Sequence, residues 1–131
     1  VKRVKDVGGL LKKNIPEGEH YVPLGGLEYT VQASLYSGHI PEVKMVNQSY
    51  TYRRTINKEA VTVSDILSLD NSPSMWTDEL MKYWIDSKHD YFLIGDGLFT
   101  DKFLSLIEQK FEIIDSEKIG KNNIIKLYKR K

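Results

Sequence analysis

Gly95-Asp96-Gly97 follows an apolar run, Tyr91 to Ile94, and precedes a segment with helical spacing. A carboxylate there would stand where open α/β sheets bind ligands, outside the carboxyl ends of the strands. It could be catalytic or contact a ligand, and the helix behind it would offer free N–H groups to an anion. The alternative is the polar residue of a tight strand-to-helix turn. Lacking a partner group nearby in the sequence, Asp96 reads more strongly as that turn residue, with ligand contact as its best functional role.

Other candidates fare no better as reactive sets. A GDG turn after a strand resembles one motif of the phosphatases that form an aspartyl-phosphate. Their nucleophile is an Asp-x-Asp after an early strand, and the stretch Leu24–Thr30 holds no aspartate. Gly25-Gly26 is a second possible phosphate loop, but it lacks both the G-x-G-x-x-G spacing and a following Lys-Ser/Thr. His20, His39 and His89 each stand beside a turn, with no ligand at i, i+4, so no metal site is expected. No serine lies in a G-x-S-x-G elbow. No catalytic residue and no cofactor is therefore nominated.

Aromatic residues suggest binding instead. Tyr50 and Tyr52 alternate with Thr51 and Arg53, which places both rings on one face of a strand. That face suits stacking on a sugar or a partner; a solvated strand is the plainer reading. Trp76, Leu80, Tyr83 and Trp84 lie at i, i+4, i+7 and i+8, one buried face of a helix. Positive charge gathers from Lys118 onward, where Lys121, Lys126, Lys129, Arg130 and Lys131 face no acidic residue. Such an end could rest on anionic lipid or be a plain soluble terminus. Asn47-Gln48-Ser49 fits the N-glycosylation acceptor pattern.

Composition bounds these readings. The 131 residues make one domain, able to bury roughly 65–70% of its unfolded surface. A net charge of +1 argues against a dedicated nucleic-acid binder. With no cysteine there is no thiolate nucleophile and no disulfide framework. No apolar stretch approaches the ~18 residues of a membrane span. The sequence opens on Val1, which hints at excision from a longer precursor.

The elements that would position these residues alternate. Val4, Val7, Leu10, Leu11 and Ile15 predict a first helix, weakened by Gly8-Gly9 and ended before Pro16. A strand over Tyr21–Leu24 follows, then a helix over Leu27–Tyr36 stopped by Gly38. A second strand over Val43–Val46 should run parallel to the first. Residues 47–74 read as an irregular insert. After them come the Trp76–Trp84 helix, a strand over Tyr91–Ile94, and a helix carrying Phe99, Phe103, Leu106 and Ile107 that starts at Gly97 or Thr100. Two closing strands, "FEII" and "IIKLY", form a hairpin. The expected fold is a three-layer α/β sandwich around a mainly parallel, Rossmann-like sheet of about four to five strands, with an antiparallel C-terminal hairpin.

Three stretches carry a resemblance. Val4–Gly26, with its L-x-x-x-x-P-x-G helix end before a strand, resembles the segment that follows the last membrane helix of polyprenyl-phosphate-sugar-dependent membrane glycosyltransferases. These are the protein mannosyltransferase and aminoarabinose transferase type. Leu27–Val43, with Tyr36-x-Gly38, is similar to the next helix and strand of that family. Asp90–Ile114, closing with Asn122–Lys131, looks like its ending: strand, helix, and a hairpin finishing in "LY" and basic residues. The likeness covers most of the chain except 47–74.

This resemblance implies the soluble, extracytoplasmic C-terminal domain of a cell-membrane enzyme that moves a sugar from a lipid-phosphate carrier. Its partners would be the membrane-embedded remainder of the same chain and a carbohydrate or protein acceptor, with no nucleic acid. The family's catalytic carboxylate belongs to a loop between early membrane spans, so no catalytic residue carries over. The domain would hold the acceptor, cover the active site or aid assembly, with any member-specific binding in the 47–74 insert. The ligand-binding candidates from the residues themselves are Gly25, Gly26, Gly95, Asp96 and Gly97, with Tyr50, Tyr52 and Arg53 in that insert. Two other readings compete: a free-standing small-molecule or nucleotide-binding domain using the glycine turns, and a protein-interaction module.

Overall fold

A computed structural model describes residues 2–44, 51–52, 78–95 and 99–131, with 51–52 as backbone. The first helix, α1 (Lys2–Asn14), buries Val7, Leu10 and Leu11, and Ile15 just beyond it is buried too. It ends ahead of Pro16, whose ring excludes helical backbone from the residue before it. The glycine at position 8 is no weakness in this setting. A Cβ there would stand 2.8 Å from Tyr36 Cβ and 3.0 Å from the Ala33 carbonyl. Gly8 thus lets α1 approach the next helical segment closely. Gly8→Ala is expected to destabilise the fold by about 1–2 kcal/mol, overpacking outweighing the gain in helix propensity of about 1 kcal/mol. Chemical denaturation checks this, with Gly9→Ala, which meets no atom within 4 Å, as the stabilising counterpart.

Strand β1 (His20–Leu24) leads through Gly25 and Gly26, both with positive φ, into α2 (Leu27–Thr30) and α3 (Ser34–Ser37). The single helix expected over 27–36 is therefore two short pieces joined by a turn. The expected stop at Gly38 is present, its N–H donating to the Ser34 carbonyl at 2.9 Å. The second parallel strand also falls earlier than its apolar run suggested. It is β2 (Ile40–Pro41), in register with His20 and Tyr21. The Glu42 N–H donates to the Tyr21 carbonyl at 2.8 Å, after which the chain leaves this sheet. Val43–Lys44 forms β3 and pairs antiparallel with β4 (Thr51–Tyr52). The apolar run thus opens a separate ladder.

Helix α4 (Asp78–Ile85) buries Leu80, Met81, Trp84 and Ile85. Tyr83, expected on the buried face, is 45% exposed. Met81 and Ile85 take that position, and the Tyr83 ring meets Trp84 edge-on at 4.9 Å. Trp76 lies outside the described residues. Strand β5 (Tyr91–Ile94) is buried throughout. Helix α5 (Asp101–Lys110) starts at Thr100, whose hydroxyl accepts from the Phe103 N–H at 3.2 Å, a standard N-cap. The closing strands, β6 (Phe111–Ile119) and β7 (Asn123–Arg130), are longer than expected, with a bulge between Ile113 and Asp115.

The five-stranded sheet has the order β2-β1-β5-β7-β6. It is mixed where a mainly parallel sheet was expected. β2 and β5 flank β1 in parallel, whereas β7 pairs antiparallel with β5 and β6. The final hairpin docks β7, not another crossover strand, against β5. Alternation along the strands feeds two apolar clusters. Tyr21, Leu93 and Leu127 join α1; Val22, Leu24, Phe92, Ile94 and Tyr128 join α4 and α5.

Candidate functional site

The two glycine turns meet. β1 and β5 are parallel neighbours with Leu24 opposite Ile94, so both turns fall at the same carboxyl-end edge. The Gly95 N–H donates to the Leu24 carbonyl at 2.9 Å. A Cβ on Gly95 would lie 2.8 Å from the Gly25 carbonyl oxygen and 2.9 Å from Gly26 Cα. The carbonyls of this turn are engaged as well, since Thr30 Oγ1 lies 3.0 Å from Gly25 O and 3.2 Å from Gly26 O. The Tyr21 hydroxyl in turn donates to the Thr30 carbonyl at 2.6 Å. Gly25, Gly26 and Gly95 therefore pack on one another and close the edge between the strands. Asp96 and Gly97 lie outside the described residues. So do Tyr50 and Arg53; Tyr52 is placed only by its backbone pairing with Val43.

A second concavity runs between α4 and α5. Its cavity of about 310 Å³ is at the small end for a ligand site. Met81, Ile85 and Leu106 line it, and ion pairs bracket it: Lys102–Asp78 at 3.5 Å and Lys110–Asp86 at 3.9 Å. These pairs are solvated and contribute little to stability. The apolar lining follows from helical periodicity, but pairing this groove with two bridging charges joins residues 24 apart. No local spacing foretells that.

A third grouping joins two strand ends. The Glu42 carboxyl is 2% exposed and meets His20 Nδ1 at 2.5 Å. In general a carboxylate that accepts from Nδ1–H leaves Nε2 as the acceptor nitrogen, half of a nucleophile-activating set. Among the described residues no hydroxyl is hydrogen-bonded to that nitrogen. The sequence signal here is faint, an acid and a histidine 22 residues apart. His39 is buried, with Nε2 3.0 Å from the Ile15 carbonyl. Among the described residues, no three His, Cys, Asp or Glu side chains cluster as a metal would require.

The basic end is engaged, correcting the expectation that it faces no acid. Arg130 Nη2 donates to the Ser87 carbonyl at 2.6 Å and the His89 carbonyl at 2.9 Å, and Nη1 to Ile85 O at 3.2 Å. Its Nε stands 3.7 Å from the Asp90 carboxylate. Lys131 Nζ donates to the Glu108 carbonyl at 3.1 Å. Arg130 and Lys131 thus tie the chain end to the helices.

On the opposite face, Asp115 Oδ2 accepts from the Asn14 amide at 2.8 Å and Oδ1 from the Ser116 N–H at 2.8 Å. The Asn14 bond first, then the Ser116 N–H, with Lys13 assisting, hold its carboxyl below the ordinary value of 3.8. A lowered folded pKa contributes stability that is present above pH 3.8 and is lost as pH falls through the folded value. Asp115→Asn should therefore melt below wild type at neutral pH. The two melting curves should converge below pH 3.8, where the protonated acid and the amide are near-isosteres.

Comparison with known proteins finds no matching family model, no matching curated protein and no matching solved structure. Among the described residues no helix is long and apolar enough to cross a membrane.

Proposed function

We propose that this chain is the extracytoplasmic C-terminal domain of a membrane glycosyltransferase that draws its sugar from a polyprenyl-phosphate carrier, of the protein mannosyltransferase or aminoarabinose transferase type. The domain is an accessory one: it contacts the acceptor or the sugar and leaves catalysis to the membrane-embedded remainder of the chain. We read the sheet, with a helix-lined apolar cluster on either face, as a three-layer Rossmann-like unit.

The observation that carries this reading is the order of the C-terminal elements. β5, α5 and a β6–β7 hairpin closing on Leu127-Tyr128 and basic residues follow the pattern of the family's ending. The other two stretches of likeness also coincide with elements, Val4–Gly26 with α1 and β1, and Leu27–Val43 with α2, α3 and β2. The gene tests it. Apolar stretches of about 20 residues encoded upstream are expected, and a start methionine directly before Val1 would overturn the reading.

The position of Gly25-Gly26 and Gly95 at the carboxyl ends of the neighbouring parallel strands β1 and β5, where open α/β sheets bind ligands, favours a second reading, a free-standing small-molecule or nucleotide-binding domain. Melting in the presence of nucleotides and of phospho-sugars separates the two. A true ligand at 100 times its dissociation constant adds about 2.7 kcal/mol. Stabilisation by nucleotides alone would favour the second reading.

A further inference from the structure

The β6–β7 hairpin outruns the sheet. β5 pairs with β7 only over Lys126–Lys129, so Asn123–Ile125 and the opposing end of β6 project past it. One face of this projection is buried against α1 through Ile119 and Ile125. The other face is open and carries Ile113, Ser116, Lys118, Ile124 and Lys126, all exposed. Ile113 is 51% and Ile124 46% exposed. Strand spacing sets the two isoleucines about 13 Å apart on one face.

Charge is segregated between the faces. Opposed residues of an antiparallel pair share a side, and the register sets Glu112 opposite Lys129, Asp115 opposite Leu127 and Glu117 opposite Ile125. All three carboxylates of β6 therefore lie on the α1 side. The open face holds Lys118 opposite Ile124 and Lys126 opposite Ser116, and Lys121 follows at the exposed turn. Among the described residues, Glu108 of α5 brings negative charge near Tyr128, at the helix-covered end of this face.

We propose that this open hairpin face docks on an anionic lipid surface, with Ile113 and Ile124 entering the head-group boundary and Lys118, Lys121 and Lys126 meeting lipid phosphates. Two exposed isoleucines on a face that also carries lysines suit an interface that is apolar below and anionic above. A nucleic acid would call for exposed rings to stack on its bases, and the tyrosine of this face, Tyr128, is 6% exposed. A second copy of the chain would set lysine against lysine. The inference rests on the hairpin alone, so its failure would leave the accessory-domain reading to be judged by the gene.

The test is co-sedimentation of the full chain with vesicles of phosphatidylglycerol and phosphatidylcholine, against phosphatidylcholine alone. Binding to the anionic vesicles alone is expected. Lys118→Gln with Lys126→Gln should lower the partition coefficient about 25-fold, about fivefold per lysine. Ile124→Ser should lower it about fivefold. Lys12→Gln with Lys88→Gln removes the same charge from other exposed positions and should change binding less than about twofold. Equal binding to neutral vesicles, an equal loss in that control pair, or binding to polyuridylate without vesicle binding would overturn the proposal. So would a dimer in sedimentation that Ile124→Ser dissolves.

Discussion

Gly95→Ala is expected to lower the melting temperature by about 10 °C, the equivalent of about 3 kcal/mol in a domain of this size. The added methyl would lie 2.8 Å from a carbonyl oxygen and 2.9 Å from a Cα, both main-chain atoms of the Gly25-Gly26 turn. No side chain can swing aside. Relief would require β1 and β5 to separate, breaking the Gly95 N–H bond to the Leu24 carbonyl and opening the apolar cluster beneath Leu24 and Ile94. Thermal melts of Gly95→Ala and Gly9→Ala make the comparison, since Gly9 has open space around it. A Gly95→Ala protein that melts with wild type would mean that the two turns are not in contact. The glycines would then be free to frame a ligand, as the nucleotide-binding reading requires.

That contact marks the boundary of what sequence patterns convey. The apolar stripe of α1, the buried run Tyr91–Ile94 and the cap at Thr100 are local, since each depends on residues within a turn or two, and periodicity reveals them. Gly8 and Gly95 look like permissive or weakening residues until the segments facing them are known. Only then does their missing side chain become a packing requirement. Pro23 is a similar case. A proline argues against a central strand, yet β1 meets β2 over His20–Tyr21 and β5 over Val22–Leu24. The described β1–β2 register thus ends before Pro23. The second strand falls on Ile40–Pro41 although the run that begins at Val43 is the more strand-like, proline being disfavoured in strands. Partner choice, not propensity, assigned them to different ladders. The Glu42–His20 pair and the two-faced charge of the hairpin depend on register, which composition does not encode.

An effect of similar size, hidden in the same way, concerns Arg130 at the end of β7. Arg130→Ala is expected to destabilise the fold by about 3 kcal/mol, although charged residues near a chain end usually contribute nothing measurable. The guanidinium donates to the Ile85, Ser87 and His89 carbonyls, at the end of α4 and in the segment that follows it. Helix ends carry orphan acceptors, and a cation there also meets the negative end of the helix dipole. The same group stacks at 4.4 Å on the Phe111 ring, a contact of about 1 kcal/mol. Arg130→Lys should recover less than half of the loss, because an ammonium cannot serve three carbonyls in one plane while lying flat on a ring. Urea denaturation of the two variants measures this. Amide exchange in the turn after α4 should quicken in step, because the clamp holds Ser87 and His89 directly. A lysine variant as stable as wild type would reduce Arg130 to a point charge beside Asp90, and the carbonyl contacts would then carry no share of the stability.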